Sequence, residues 1–279
     1  MTVENKRIFY DDACPMCRIY TAAFVRCGIL VPEGRSGFAE ASPADLARID
    51  AKRARHEIPL LDTAGGETLY GMDAWFALLA SRFPALAPLF RSGVPGALLT
   101  PLYALISYNR RVIVGCPPAP LGANGFDPAP DFSLPWRAAY LAVCFAVWLL
   151  LTGSVAVKVP ALTAGIAAFA AAQIIGLVLA LIVLPRHCGA WDRAGSLATN
   201  GVTFGLLLWT VTGLCGGVPV ALCLAFTLSA LITLFDANRR LRPHCATVAT
   251  PRHRGISLPM AGSDSQDGTI LRCVRCLKK

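Results

Sequence analysis

What this chain has least of is charge. Asp, Glu, Lys and Arg make up 15% of its 279 residues, where a soluble chain carries about 25%. The shortfall falls after Pro135, where long uncharged runs follow one another. No acidic residue lies deep in those runs, which argues against an ion or proton pathway. A dense cysteine framework is also missing. Eleven cysteines are scattered over both halves, which argues against a secreted disulfide scaffold, and the odd count leaves at least one thiol free in a monomer. The net charge is +9, yet no basic folded face with base-reading or stacking groups stands out, so nucleic acid is not expected as a partner. Met1 to Arg7 is polar, so no signal peptide is expected.

What is present begins with Tyr10-Asp11-Asp12-Ala13-Cys14-Pro15-Met16-Cys17. An apolar strand runs into a turn carrying C-x-x-C, and a helix-patterned stretch follows with Ile19, Tyr20, Phe24 and Val25 on one side. A helix starting near Cys14 points its unpaired N–H groups and positive dipole end at the Cys14 sulfur. Such surroundings favour the thiolate, the species that attacks disulfides. Cys17, one turn along, is placed to resolve a mixed disulfide. Pro15 suits the first helical turn, where no N–H is needed. Asp11 and Asp12 act the other way, because nearby negative charge disfavours a thiolate. Half of a zinc site and a pair of inert thiols are the other readings of the spacing.

In chain order, Lys6 to Tyr10 reads as a strand and Cys14 to Cys27 as a helix, with Gly28 just past its end. Gly34 to Gly37 reads as a turn and Phe38-Ala39 as a brief strand. A helix capped by Ser42, with Pro43 in its first turn, is expected to run to Ala54. Glu57 to Leu61 and Glu67 to Tyr70 read as a hairpin. Asp73 reads as the cap of a helix that stops before Pro84. Strand, helix, strand, helix, strand, strand, helix is the order of a thioredoxin fold, with the C-x-x-C after the first strand. By that analogy Pro59 opens the third strand, facing the motif, after a cis bond from Ile58. An ordinary trans proline at a strand edge is the alternative.

Val94 to Val112 reads as a further helix. With it, Asp11-x-x-Cys14-x-x-Cys17, Gly71-x-x-Ala74 and Tyr103…Asn109-Arg110 together resemble the DCC family of small thiol–disulfide oxidoreductase-like proteins, over residues 5–113. The resemblance implies a thioredoxin-like fold with Asp11, Cys14 and Cys17 in the working motif, and it supplies no substrate. Asp12 stands where that family typically has Gly. Asn109-Arg110 reads either as a solvated helix end complementing the dipole or as a substrate-binding pair near the cysteines.

Residues 114–135 hold six prolines and read as a linker, partly extended, with Cys116 an ordinary thiol. Residues 136–236 read as an all-α domain of four spans, at Ala138–Val157, Ala161–Leu184, Gly201–Gly216 and Pro219–Phe235, with Pro185 to Asn200 a polar loop. Trp136 and Tyr140 suit an interface, and Cys144 reads as a small apolar residue. Arg137, Arg186, Arg193, Arg239, Arg240 and Arg242 fall on one side of these spans and Lys158 on the other. Both termini and the redox domain are therefore expected in the cytoplasm, where disulfides are mostly transient. None of the spans carries C-x-x-C, as a quinone-coupled disulfide enzyme of the vitamin K epoxide reductase type would need at the membrane surface. Cys215 and Cys223 flank the last hairpin, where packing or a redox pair is open.

Residues 237–279 form a basic tail with a second C-x-x-C, Cys273 and Cys276. It reads as a second redox pair, within a reach of roughly 35 Å for a flexible chain of about 44 residues, as part of a Cys3His zinc site with His244 and Cys245, or as inert. Taken together, the expectation is a membrane-anchored thiol–disulfide oxidoreductase. Cys14 and Cys17 are its catalytic residues, with Asp11, Pro15 and Pro59 in support. Its partners are membrane lipid and a protein or small-molecule thiol or disulfide. No dissociable organic cofactor is implied. A non-catalytic membrane scaffold and a metal-handling membrane protein are the rivals.

Overall fold

The computed structural model describes Val3, residues 5–115, 124–182 and 188–215, and Thr227, Leu228 and Leu231. Four strands make one small mixed sheet: β1 (Lys6–Tyr10), β2 (Arg35–Gly37), β3 (Pro59–Asp62) and β4 (Leu69–Tyr70), in the order β2-β1-β3-β4. β1 runs parallel to β2, with Ile8 opposite Arg35, and antiparallel to β3, with Arg7 opposite Leu61. A central strand covered on both faces needs apolar residues in succession. Ile8 and Phe9 supply them, each wholly buried. Ile8 packs with Phe24 of α1 (Pro15–Arg26) and with Ala74 and Leu78 of α4 (Gly71–Arg82). Phe9 packs on the other face with Phe38, Ile49 and Tyr70.

Several local readings change. The expected strand at Phe38 is a single helical turn, and the strand lies just before it at Arg35–Gly37, where a turn was expected. The helix that Ser42 caps breaks into α2 (Pro43–Ala47) and α3 (Ala51–Ala54), because Asp50 caps a second start by accepting from the Lys52 and Arg53 N–H groups. α4 opens at Gly71, so Asp73 sits in its first turn and does not cap it. Among the described residues there is no cis peptide bond, so Ile58–Pro59 is trans. Pro59 opens β3, opposite Tyr70 of β4.

Within the stretch read as a linker, Asn124 to Ser133 lies along the sheet half as a strap, and residues 116–123 lie outside the described residues. Asn124 donates to the carbonyls of Phe38 and Ala41, the Phe126 ring packs on Phe38 at 4.5 Å, and Asp131 pairs with Arg55 and His56.

α5 (Ala87–Arg91) and α6 (Val94–Val114) follow α4, and the segment Pro84–Arg91 meets α6 at 84°. α6 joins the two halves. Its Tyr103, Ser107 and Arg110 bond to the sheet half, while Leu105, Val112 and Ile113 pack with Tyr140, Cys144 and Ala198. Those partners belong to α7 (Leu134–Lys158) and α9 (Cys188–Cys215), and α8 (Thr163–Ile182) lies between them in the chain. Leu134–Lys158 and Trp191–Leu214 are long and apolar enough to cross a membrane, and the bent segment 84–114 passes the same test as a pair.

The polar loop expected at Pro185 to Asn200 is helical from Cys188 onward. Asp192, past the first turn of α9, accepts from Arg137 of α7 at 2.7 Å. A Cβ at Gly195 would stand 2.9 Å from Arg137 Nη1 and 2.6 Å from Val112 Cγ1, so glycine there lets α9 approach. The expected fourth span, with Cys223, lies largely outside the described residues, as do Cys116 and residues 237–279.

Two outcomes follow. Gly71 has φ +55°, and a Cβ there would lie 3.3 Å from Glu57. Gly71→Ala is expected to cost about 1–2 kcal/mol of stability, the cost of a left-handed L-residue, seen as a lowered unfolding midpoint. Burial alone would raise the Asp131 pKa, but hydrogen bonds from Arg55 and His56 outweigh it and hold it below the ordinary carboxylate value. A depressed carboxylate stabilises the state that holds it above its unfolded pKa, and this is lost as pH falls through the folded one. Amide protection at residues 124–133, taken relative to the intrinsic exchange rate at each pH, should therefore fall below about pH 4, the unfolded Asp value, and Asp131→Asn should lower it already at neutral pH.

Candidate functional site

The site sits where β1 ends and α1 begins. The β1 register carries the chain out beside Gly37, where Asp11 turns back under the strand end. The Asp11 carbonyl accepts from the Cys14 N–H at 3.1 Å, and its carboxylate accepts from the Ala13 N–H at 3.1 Å. This tight turn delivers Cys14 to the N-cap of α1 and Pro15 to its first turn. Asp12 points the other way and accepts from the Ala39 N–H at 2.9 Å. A side chain on Gly37 would collide with that carboxylate, so the small residue on β2 makes room for the large one in the motif turn.

Neither Cys14 nor Cys17 is in a disulfide, and they are 1% and 6% exposed. The Cys17 thiol is hydrogen-bonded to the Cys14 sulfur. That bond, then burial, pushes the Cys17 pKa far up, with Arg110 opposing the rise and the charges of Cys14 and Asp11 adding to it. Cys17 therefore stays protonated, as the donor to Cys14. The Cys17 carbonyl accepts from Thr21 Oγ1 at 2.7 Å, and Thr21 in turn accepts from Arg35 Nε at 2.9 Å, which fixes the first turns of α1 to β2.

Arg110 comes 99 positions after Asp11 and reaches it at 3.2 Å, both side chains buried. The same guanidinium donates to the carbonyls of Arg55 and Pro128, and Arg111 stands 3.8 Å from Asp11. Two buried charges are tolerated because they are paired and further hydrogen-bonded. The solvated helix end expected at Asn109-Arg110 is thus absent. Asn109 is 1% exposed and donates to the carbonyls of Leu105 and Trp136, tying α6 to the start of α7.

A cavity of about 220 Å³ opens against Cys17. Its walls are largely aromatic and aliphatic: Tyr20, Phe38, Ile58, Trp75, Tyr103 and Ile106. Asp11, Arg110, His56 and Glu57 supply the polar part. Tyr103 is held in place because its hydroxyl accepts from the Ile58 N–H at 2.9 Å. Pro59 is absent from this wall, and its neighbour Ile58 takes the position facing the cysteines that the fold analogy assigned to it.

Comparison with protein-family models, with curated proteins and with solved structures finds no match for this chain. The site is read from its own geometry.

That geometry brings together Asp11, Cys14, Pro15 and Cys17. It adds Arg110 and the aromatic wall, which reasoning on the C-x-x-C alone does not reach. The signal in the sequence was an arginine closing an otherwise apolar helix, with no acidic residue of that helix to pair with. His244, Cys245, Cys273 and Cys276 lie outside the described residues, and the Cys215 side chain is not described. Among the described residues no group of three or more His, Cys, Asp or Glu side chains is placed to hold a metal ion.

The buried pair makes a direct test. Arg110→Met leaves Asp11 buried without its main partner and is expected to cost about 3–5 kcal/mol, the usual penalty for a broken buried pair. Asp11→Asn with Arg110→Met should cost clearly less than the two single changes added. Denaturation of all four proteins measures the coupling.

Proposed function

We propose that the chain is a membrane-anchored thiol–disulfide oxidoreductase with a thioredoxin-like domain of the DCC kind, working through Cys14 and Cys17. The observation that carries this reading is the placement of Cys14 at the N-cap of α1 directly after β1, with Cys17 one turn inside the helix and in contact with it. A protonated neighbour and a helix N-terminus both favour negative charge on the Cys14 sulfur. The strand order and directions of the sheet, and the place of the dithiol after β1, support the domain assignment.

Cys14 as thiolate attacks one sulfur of a substrate disulfide. The substrate's other sulfur leaves and takes up a proton, and Cys14 is left in a mixed disulfide. Cys17 then loses its proton and attacks the Cys14 sulfur, releasing the second substrate thiol and closing Cys14–Cys17. The protein is oxidised by two electrons and the substrate reduced by two. Loss of the Cys14 negative charge in the first step removes the contribution that held Cys17 protonated, so the resolving thiol becomes easier to ionise when it is needed. Arg110 opposes the rise in the Cys17 pKa and so favours the same ionisation. Run backwards, the steps oxidise a dithiol.

The anchor is the group α7 to α9. Arg137 of α7, Arg193 of α9 and Arg110 and Arg111 of α6 stand at the end of the helices that meets the sheet half, with Lys158 at the far end of α7. Basic residues gathered at the domain end support a cytoplasmic domain, hence a reducing compartment.

Cys17→Ser is expected to accumulate mixed disulfides at Cys14, while Cys14→Ser accumulates none. Acid quenching, alkylation and peptide mass mapping after exposure to a small disulfide check both. Equal trapping at the two positions would overturn the assignment of roles.

A further inference from the structure

Both sulfurs of the dithiol are buried, and the cavity opens on one of them, Cys17, with Cys14 in hydrogen-bond contact beside it. That limits what can react. A protein disulfide approaches on a folded surface and needs an attacking sulfur at least partly exposed. The cavity of about 220 Å³ admits something far smaller. An apolar cavity of about 150 Å³ holds one benzene ring, so this one suits a ring or a short alkyl arm beside the sulfur. Its walls at Tyr20, Phe38, Trp75, Tyr103 and Ile106 offer apolar surface, which rewards burial of hydrocarbon and not of peptide or carboxylate.

The way in is set by α6. Val94, Leu98, Leu102 and Ile106, four residues apart, form one stripe and are 60%, 70%, 51% and 38% exposed. From Ser92 to Asn109 no residue is charged. A stripe this apolar is stable only against another apolar phase. α6 is not free to cross a bilayer, because its opposite face is bonded to the sheet half through Tyr103, Ser107 and Arg110. Its last turns pack on α7 and α9, the helices long and apolar enough to span. A helix fixed at the head of two spans, with a charged domain on one face and an uncharged stripe on the other, lies in the interface with the stripe toward the acyl chains. Ile106 belongs both to that stripe and to the cavity wall.

We infer that the cavity beside Cys17 takes a small lipid-soluble disulfide, which enters from the bilayer along the stripe of α6 at Ile106. The inference rests on the exchange reading above and adds the substrate class and its route. The reaction is two protein thiols plus R–S–S–R giving the Cys14–Cys17 disulfide plus two R–SH. Both protons lost by the protein end on the released thiols.

The test uses the reduced full-length protein in phosphatidylcholine nanodiscs. The probes are dibutyl disulfide, bis(2-hydroxyethyl) disulfide and glutathione disulfide. Formation of Cys14–Cys17 is followed by alkylation and peptide mapping. Each rate is divided by that probe's rate with dithiothreitol under the same conditions, which removes intrinsic reactivity. Dibutyl disulfide is expected to lead both other probes by about tenfold or more, the discrimination an apolar pocket makes for a methylene or two. Ile106→Gln, at a half-exposed position that tolerates a polar side chain, should shrink that lead to about threefold or less on the same scale. Equal normalised rates, or a lead for glutathione disulfide, would overturn the substrate class. A lead that Ile106→Gln leaves intact would overturn the route. Failure of all three probes to oxidise the pair would overturn the exchange reading itself.

Discussion

The structure hangs on one buried ion pair, Asp11 with Arg110. Neither charge can be left alone at such depth, so each is paired with the other and held by further hydrogen bonds. Asp11 spends its other contacts on the turn that places Cys14, through its own carbonyl and the Ala13 N–H. Arg110 spends its on the end of α3 at Arg55 and on the strap at Pro128. One pair therefore ties together the motif turn, the long helix α6, the loop before β3 and the segment leading to the first apolar helix. Removing either partner loosens four pieces of chain at once.

The same pair changes how the motif should be weighed. Two aspartates beside a C-x-x-C read as unfavourable to a thiolate. In the fold both carboxylates are engaged by partners, although the Asp11 charge still adds to the rise of the Cys17 pKa. Arg110 neutralises Asp11 at contact distance, and Asp12 is turned away to the Ala39 N–H above Gly37. The carboxylate at position 12 has a structural counterpart on β2. A carboxylate occupies the space that a side chain at position 37 would need.

What was legible in the sequence was local, and what was not depends on distant partners. β1, the turn and α1 follow from Ile8-Phe9, from Pro15 in a first helical turn and from Gly28 after the last one, all signals within a few residues. The break between α2 and α3 was also locally written, in Asp50 as a second cap, but Ser42 was read as the cap of one longer helix. Arg110 was left between a solvated helix end and a group near the cysteines, because an arginine near a helix end is ordinarily a solvated complement to the dipole and its partner is 99 residues away. The strap was misread because prolines signal an extended linker, and nothing in residues 124–133 names Phe38, Arg55 or His56 as what they grip. Asp192 and Arg193 made a helix look like a loop, because the pairing that carries Asp192 into α9 comes from Arg137 on another helix.

These long-range partners explain why α6 works as the joint of the molecule and not as a tether. Within three consecutive turns it offers Tyr103 and Ser107 to the backbone around β3, Arg110 to the motif turn, and Val112 to the helices. Arg110 and Val112 are two residues apart and face different halves. A rigid helix cannot shift one without shifting the other, and Gly195 brings α9 so near Val112 that there is no slack on that side. The polar ties between the apolar helices lie toward this same end, with Arg137 to Asp192 and Tyr140 to Thr199, whereas the far end is held by Val155, Phe204 and Leu208. Directional bonds fix geometry where apolar packing alone permits sliding. The directional ties of the helical half thus lie at the end that packs on α6, the helix that carries Arg110 to the motif turn.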